Sequence, residues 1–324
     1  MPIPVLIVFF NRPDALSKLL ARVLEAEPSA VYLACDGPRQ GREDDRAAVA
    51  ECRAIARSAP WRCAVHERFL DSNLGCGRAV SSAVDWFFSR VPEGVVLEDD
   101  CLPGRDFIPF CAEVLARYRV DERVMSVNGT NLRAPRKSGI PPESYSFCRQ
   151  PMVWGWASWA RAWSRYRFSI DRASIRALPR KSFPLRRRHS VALWRRKFDR
   201  VSRGRVDTWD FQWAFAHFLH QGLVVSPSVN LVTNVTTASG AHSDGTTGPW
   251  QDFPTAELAW PIRHPDSLEL DGDMVDFIDQ VVHNHRPYFP RKAWKLAQRM
   301  GLVSLQQVRS GSILRPPASE AWPA

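Results

Sequence analysis

The feature that most constrains the fold is an alternation running through the first 127 residues. Short apolar runs at 3–10, 31–35, 63–66, 94–97 and 124–127 are separated by segments whose apolar residues follow a helical period. After the first run, Leu16, Leu19, Leu20, Val23 and Leu24 recur on one helical face. Apolar runs bounded by turn residues are what strands buried on both faces look like. Strand and helix in repetition predict an α/β fold: a doubly wound, mostly parallel sheet with helices on both faces.

The run at 94–97 ends abruptly in Glu98-Asp99-Asp100. These acids then sit at the carboxyl end of a buried strand, where open α/β sheets bind ligands. Three adjacent carboxylates repel one another, and folding does not require them there. A hard divalent cation, Mn²⁺ or Mg²⁺, would neutralise them and is the usual companion of a diphosphate. The competing assignment is a solvated acidic turn. Asn11-Arg12 ends the first strand and Asp36 ends the second, so the two turns form one wall of the cleft. An Arg there pairs with phosphate, and an Asp accepts the imide N–H of a uracil; both are equally common as surface turn residues. Gly75-x-Gly77-Arg78 does not fit a dinucleotide fingerprint, and no P-loop motif is present. The two glycines permit a tight turn.

The second half has a different character and is expected to be mainly helical, Trp-rich and basic. Residues 152–166 are rich in Trp, and Trp156, Trp159 and Trp163 have the spacing of a helical core stripe. Residues 176–205 carry a dozen Lys and Arg against the single Asp199. They read either as a solvated, mobile face or as a collar that draws in an anionic acceptor or rests on anionic lipid. The spacing predicts a helix over 207–220, a strand at 223–225 and a polar loop over 230–243. Arg291 to Arg299 reads as a basic amphipathic helix, and no structure is expected after about 310. His283 and His285 lack zinc-site company and are assigned to the surface. The formal net charge of +10 predicts an anionic partner. Seven Cys, an odd number without a Cys-x-x-Cys pair, argue for free thiols in a reducing compartment. With no secretory signal and no apolar run near the ~20 residues of a membrane span, the expected location is cytoplasmic.

The order of Val8-Phe9-Phe10-Asn11-Arg12-Pro13, Cys35-Asp36-Gly37, Asn73-Leu74-Gly75 and Val95 to Asp100 resembles a GT-A fold nucleotide-sugar glycosyltransferase. The pattern is similar to bacterial family-2-like transferases and to the Golgi N-acetylglucosaminyltransferase that starts complex N-glycans. The likeness spans about residues 3 to 243, and Glu98-Asp99-Asp100 resembles the Asp-x-Asp metal motif. The resemblance implies that Asp100 binds the metal and that Glu98 and Asp99 hold sugar and ribose. It also implies that Phe10, Asn11, Arg12, Asp36 and Arg78 hold the nucleotide, commonly UDP. Trp209-Asp210-Phe211-Gln212-Trp213 is similar to the segment that carries the general base, which would be Asp210. Phe211 and Gln212 depart from the Golgi pattern by replacing its second acid. Asp207 is the rival base or the N-cap of that helix, and Asp210 itself could cap or solvate the helix. Val153 to Trp159 resembles a Gly/Trp segment lining the sugar and acceptor site, so Trp154 or Trp156, with Trp209, would face the cleft. His242, in the late polar loop, would contact metal or diphosphate; the alternative is a surface loop His.

The organisation so implied is a nucleotide-sugar-binding half at 1–127, an acceptor-binding half of the same domain at 128–260, and an extension at 261–324. The expected activity is metal-assisted, inverting transfer of a sugar from a nucleoside diphosphate donor to a hydroxyl on a glycan or lipid-linked glycan. The expected partners are that donor and acceptor, with peripheral contact to anionic membrane and no nucleic acid. The alternatives are a sugar nucleotidyltransferase, for which the loop after the first strand lacks the required Gly-rich basic sequence, and a non-catalytic protein that binds nucleic acid or membrane through its basic stretch.

Overall fold

The elements follow in the order β1 (Val5–Phe9), α1 (Pro13–Glu25), β2 (Ala30–Cys35), α2 (Glu43–Ser58), β3 (Ala64–Phe69), α3 (Cys76–Phe88), β4 (Glu93–Glu98), β5 (Cys101–Pro103), α4 (Phe107–Arg117) and β6 (Val124–Asn128). Then come β7 (Tyr145–Cys148), β8 (Trp156–Trp159), α5 (Ala160–Trp163), α6 (Arg172–Ala177), α7 (Arg188–Ser202), α8 (Asp210–His220), β9 (Leu223–Pro227), β10 (Val232–Asn234) and α9 (Gly272–Phe277). The computed structural model describes residues 2–133, 143–235 and 252–283. His242, His285 and the amphipathic segment expected at 291–299 lie outside the described residues.

Eight strands form one sheet in the order β3-β2-β1-β4-β8-β6-β9-β7, and β5 pairs with β10 in a small second sheet. Within the large sheet only β7 and β8 run against the other six. The expected α/β fold, mostly parallel with helices on both faces, is therefore the fold observed. Strands from both halves of the chain share the sheet.

Alternation along the central strands builds two cores. Val5, Ile7 and Phe9 of β1 pack with Leu16, Leu19 and Val23 of α1, with Val49 and Cys52 of α2, and with Phe107 and Phe110 of α4. Leu6 and Val8 point to the opposite face, which is closed by Val80 and Val84 of α3 and by Trp163 and Trp213. Both faces of β1 are thus dry, as its unbroken apolar run requires.

One expectation about the middle of the chain is corrected. Trp156 and Trp159 do not form a helical stripe, because they lie on the antiparallel strand β8. Side chains three residues apart on a strand point to opposite faces, so Trp156 joins one core and Trp159 the other. The basic stretch contains an amphipathic helix: α7 buries Val191, Trp194, Phe198 and Val201 against α8, while most of the Arg and Lys residues of the stretch are exposed. The segment expected as a polar loop after Asn230 begins with β10, whose partner β5 follows directly on the acidic turn.

The seven cysteines are all free thiols. Among the described residues, no helix is long and apolar enough to cross a membrane.

Within α8, His217 is fully buried, with Nε2 2.9 Å from Ser126 Oγ and Nδ1 3.0 Å from the Trp213 carbonyl. A neutral ring satisfies both, with Nδ1–H donating to the carbonyl and Nε2 accepting from the hydroxyl. Burial pushes its pKa from the ordinary 6.5 down to about 3. The unfolded chain therefore takes up a proton that the folded chain refuses. This contribution to stability is present above pH 6.5 and is lost as pH falls from 6.5 towards 3. The expected loss at pH 5 is about 2 kcal/mol. In thermal melts, the wild-type melting temperature should fall more steeply between pH 7 and 5 than that of His217→Gln.

Candidate functional site

The strand order reverses at β1, which has β2 on one side and β4 on the other. Such a switch point opens a crevice beyond the carboxyl ends of the strands. Val8 of β1 stands beside Glu98 of β4, so Phe10, Asn11 and Arg12 emerge next to Glu98, Asp99 and Asp100.

Asp99 is the hub. It is 6% exposed; its Oδ2 accepts the Phe10 N–H at 3.0 Å and its Oδ1 accepts Arg12 Nη1 at 2.7 Å. The same Nη1 reaches Asp100 Oδ2 at 3.1 Å. Burial drives the Asp99 carboxyl up to about 6 against the pull of Arg12. Burial opposes the charge on Arg12, but Asp99, Asp100 and Glu98 outweigh it and hold its pKa above the ordinary arginine value. Arg12 is thus engaged with Asp99 and Asp100.

The Glu98 carboxylate accepts no hydrogen bond from the described residues. Its pKa is pushed well above the usual carboxylate range, first by burial and then by the charges of Asp100 and Asp99; Asp210 adds to this from the far half of the chain. One guanidinium facing three carboxylates leaves a negative remainder, and an all-oxygen donor set of this kind fits a hard divalent cation. No group of three or more His, Cys, Asp or Glu among the described residues is gathered to hold a metal unaided. A cation would therefore take one or two of these carboxylates and complete its shell with diphosphate and water, as Mg²⁺ sites commonly do.

Asp36 is held by several hydrogen bonds. Its Oδ1 accepts the N–H groups of Gly37 at 2.8 Å and Leu74 at 3.0 Å, and its Oδ2 accepts Asn73 Nδ2 at 2.9 Å. At 8% exposure and with these contacts, Asp36 ties the β2 turn to the 73–75 turn. Asn11 is also committed, donating to Asp45 Oδ1 at 2.8 Å, where Arg39 converges on the same carboxylate. Arg78 stands on the first turn of α3, exposed, with its guanidinium carbon 4.7 Å from the Phe168 ring centre.

The two halves meet at the start of α3. Gly75 has φ +79°, and Asp207 Oδ1 accepts the Gly77 N–H at 3.1 Å. Asp207 therefore caps α3 from the other half of the chain; the N-cap position of α8 is held by Trp209. Sequence reading missed this contact, and the close glycine pair was its one visible signal. Asp210 opens α8 and accepts the Thr208 hydroxyl. Burial raises the Cys76 thiol pKa, and Glu98, Asp207, Asp210 and Asp100 add to it in that order, so acids from both halves surround the start of α3.

The aromatic expectations are partly corrected. Trp156 and Trp209 are 1% and 2% exposed and stack on each other with ring centres 5.5 Å apart. They form the floor beneath the start of α8 and offer no open face to a sugar. Trp154 is half-buried against the core, and its carbonyl accepts the Thr130 hydroxyl at 2.8 Å. His283, assigned to the surface from sequence, packs on Trp194 with ring centres 4.6 Å apart.

The chain matches no protein-family profile and no curated protein. Solved structures that match include TarS 1–349 of S. aureus, at 10% identity and a TM-score of 0.38, covering 70% of this chain and 58% of that one. A UDP-glucose pyrophosphorylase complexed with UDP-glucose matches at 7% identity and a TM-score of 0.35, covering 70% of this chain and 90% of that one. The 4-diphosphocytidyl-2C-methyl-D-erythritol synthase of Anaerococcus prevotii matches at 8% identity and a TM-score of 0.35, covering 73% and 94%. This chain thus spans little more than half of the TarS structure. At such identities and scores these matches assign no activity, which has to come from the chain's own residues.

An added Cβ at Gly77 would stand 2.5 Å from Asp207 Oδ1 and 2.9 Å from the Thr208 carbonyl oxygen. Gly→Ala inside a helix ordinarily gains up to ~1 kcal/mol. Gly77→Ala is expected to lose about 1–3 kcal/mol instead, because backbone must move; chemical denaturation checks the sign.

Proposed function

We propose that the chain is a glycosyltransferase that moves a sugar from a nucleoside diphosphate donor, with UDP the expected nucleotide, to an acceptor hydroxyl with inversion. The observation that carries this reading is that Asp210, at the start of α8, lies within electrostatic reach of Glu98 at the end of β4. An inverting transfer needs one carboxylate beside the acceptor hydroxyl and a separate charged platform for the departing diphosphate. In this reading Asp210 would be the first and the acids after β4 the second, from distant parts of the sequence.

In this reading the acids after β4 face the donor, with Asp100 and Glu98 the residues that would hold Mn²⁺ or Mg²⁺. Such an ion supplies positive charge against the diphosphate as the glycosidic bond breaks. Arg12 keeps Asp99 and Asp100 in place, and the Phe10 N–H fixes Asp99 from the neighbouring strand. Asp210 takes the proton of the acceptor hydroxyl as its oxygen bonds to the anomeric carbon. Asp207 is already committed to α3, which favours Asp210 over it as the base. The Trp156–Trp209 stack sets the height of Asp210 from below. His242 is kept as a proposed contact to metal or diphosphate, and a location at the inner face of a membrane as a proposed setting.

The test is transfer from UDP-sugars to a panel of hydroxyl acceptors with Mn²⁺, measuring the nucleotide released. UDP release dependent on acceptor is expected; a nucleotidyltransferase would release pyrophosphate or consume it. Asp210→Asn keeps the Thr208 contact and should lower kcat about 10²–10⁴-fold with UDP affinity unchanged. Asp100→Ala should abolish the response to Mn²⁺. Full activity in Asp210→Asn would remove it as the base.

A further inference from the structure

Lys197 projects from the buried side of α7 into a corner built by three parts of the chain. Its ammonium lies 4.8 Å from the Trp194 ring centre, 5.5 Å from the Phe211 ring centre and 3.4 Å from His283 Nδ1. No carboxylate of the described residues comes within 4.0 Å of it, the limit for an ion pair, although Asp279 and Asp210 are close enough to act on it through space. Burial pushes its pKa down to about 8, with those two acids pulling upward. A lysine ammonium has three donors; the only described partner here is one imidazole nitrogen.

The rest of α7 does not relieve this charge. Its one acid, Asp199, is taken by Arg172 at 3.0 Å and Arg203 at 2.7 Å. Arg195 donates to the carbonyl of Leu178 at 3.0 Å and forms no ion pair among the described residues. Phe211, which walls the ammonium, directly follows Asp210. The corner therefore places a cation with unused donors beside the proposed base, on a helix whose field is positive overall.

We propose that Lys197 binds an oxyanion on the acceptor, a phosphate or a carboxylate close to the hydroxyl that receives the sugar. The inference rests on the glycosyltransferase reading and narrows its acceptor to an anionic glycan or glycosyl phosphate. A neutral sugar would leave the ammonium half-buried and short of partners, at a cost in affinity. An oxyanion would complete its hydrogen bonds, and those made between two charged groups are the stronger kind. It would also set one point of the acceptor, so that the hydroxyl is presented to Asp210.

The test uses calorimetric titration of the full chain saturated with UDP and Mn²⁺, which blocks the donor site. The probes are glucose 1-phosphate, glucuronate, glucose and inorganic phosphate. Wild type should bind one of the two charged sugars more tightly than glucose; which one separates phosphate from carboxylate. Lys197→Met should weaken that binding by about tenfold or more, and Lys197→Arg, which keeps charge and stem, should retain most of it. Lys197→Gln serves as the second neutral variant if the Met variant does not fold. Equal binding by wild type and a folded neutral variant would overturn the proposal, as would a wild type that binds neither charged sugar or binds inorganic phosphate equally with and without Lys197. Failure of UDP itself to bind would instead count against the glycosyltransferase reading, because the oxyanion comparison can be repeated without nucleotide.

Discussion

The guanidinium of Arg12, shared between Asp99 and Asp100, is the contact on which the crevice depends. Two neighbouring parallel strands end together at the switch point, and one of them ends in three acids. Without a cation the end of β4 would hold buried charge with nothing to offset it, and leaving one partner of such a pair alone costs several kcal/mol. Arg12 lies three residues beyond the end of β1, directly before Pro13, so the strand that needs the charge and the strand that supplies it are hydrogen-bonded neighbours. The compensation is incomplete: Glu98 feels the charge of Arg12 but makes no ion pair with it, and its carboxyl stays strongly perturbed. That remainder is what suits the site to a further cation and its phosphate ligands.

A second constraint links the two halves. Asp207 reaches back to the start of α3, and Gly75 and Gly77 leave the room it needs. This contact fixes where α8 begins and hence where Asp210 stands. The Trp156–Trp209 stack supports the same point from below, with Trp213 and Trp163 around it. The Trp residues of the second half thus act mainly as a rigid floor for a carboxylate. Their size gives large buried area with few rotatable bonds, which suits a position that must not drift.

The parallel sheet was legible because β1, β2, β4 and β6 are buried on both faces and so carry unbroken apolar runs. β8 was not, because a short antiparallel strand that sends Trp156 one way and Trp159 the other has the same spacing as a helical stripe. The acids at Glu98 to Asp100 were visible as a cluster that folding does not call for. The partners of Asp36 and Asn11 were not legible, since a turn residue that points into a ligand and one that ties two turns together look alike in sequence. Lys197 was hidden in a run of a dozen basic residues, most of which are solvated.

Sequence by itself determined the alternation of strand and helix, the placing of the acids at a strand end, and the acidic opening of α8, because each is set by residues a few positions apart. Tertiary structure alone decided that Arg12 serves the acids, that Asp207 caps a helix of the other half, and that Asp210 comes within reach of Glu98. Those contacts join residues far apart in the chain, and their existence depends on strand order and packing, which local pattern does not encode.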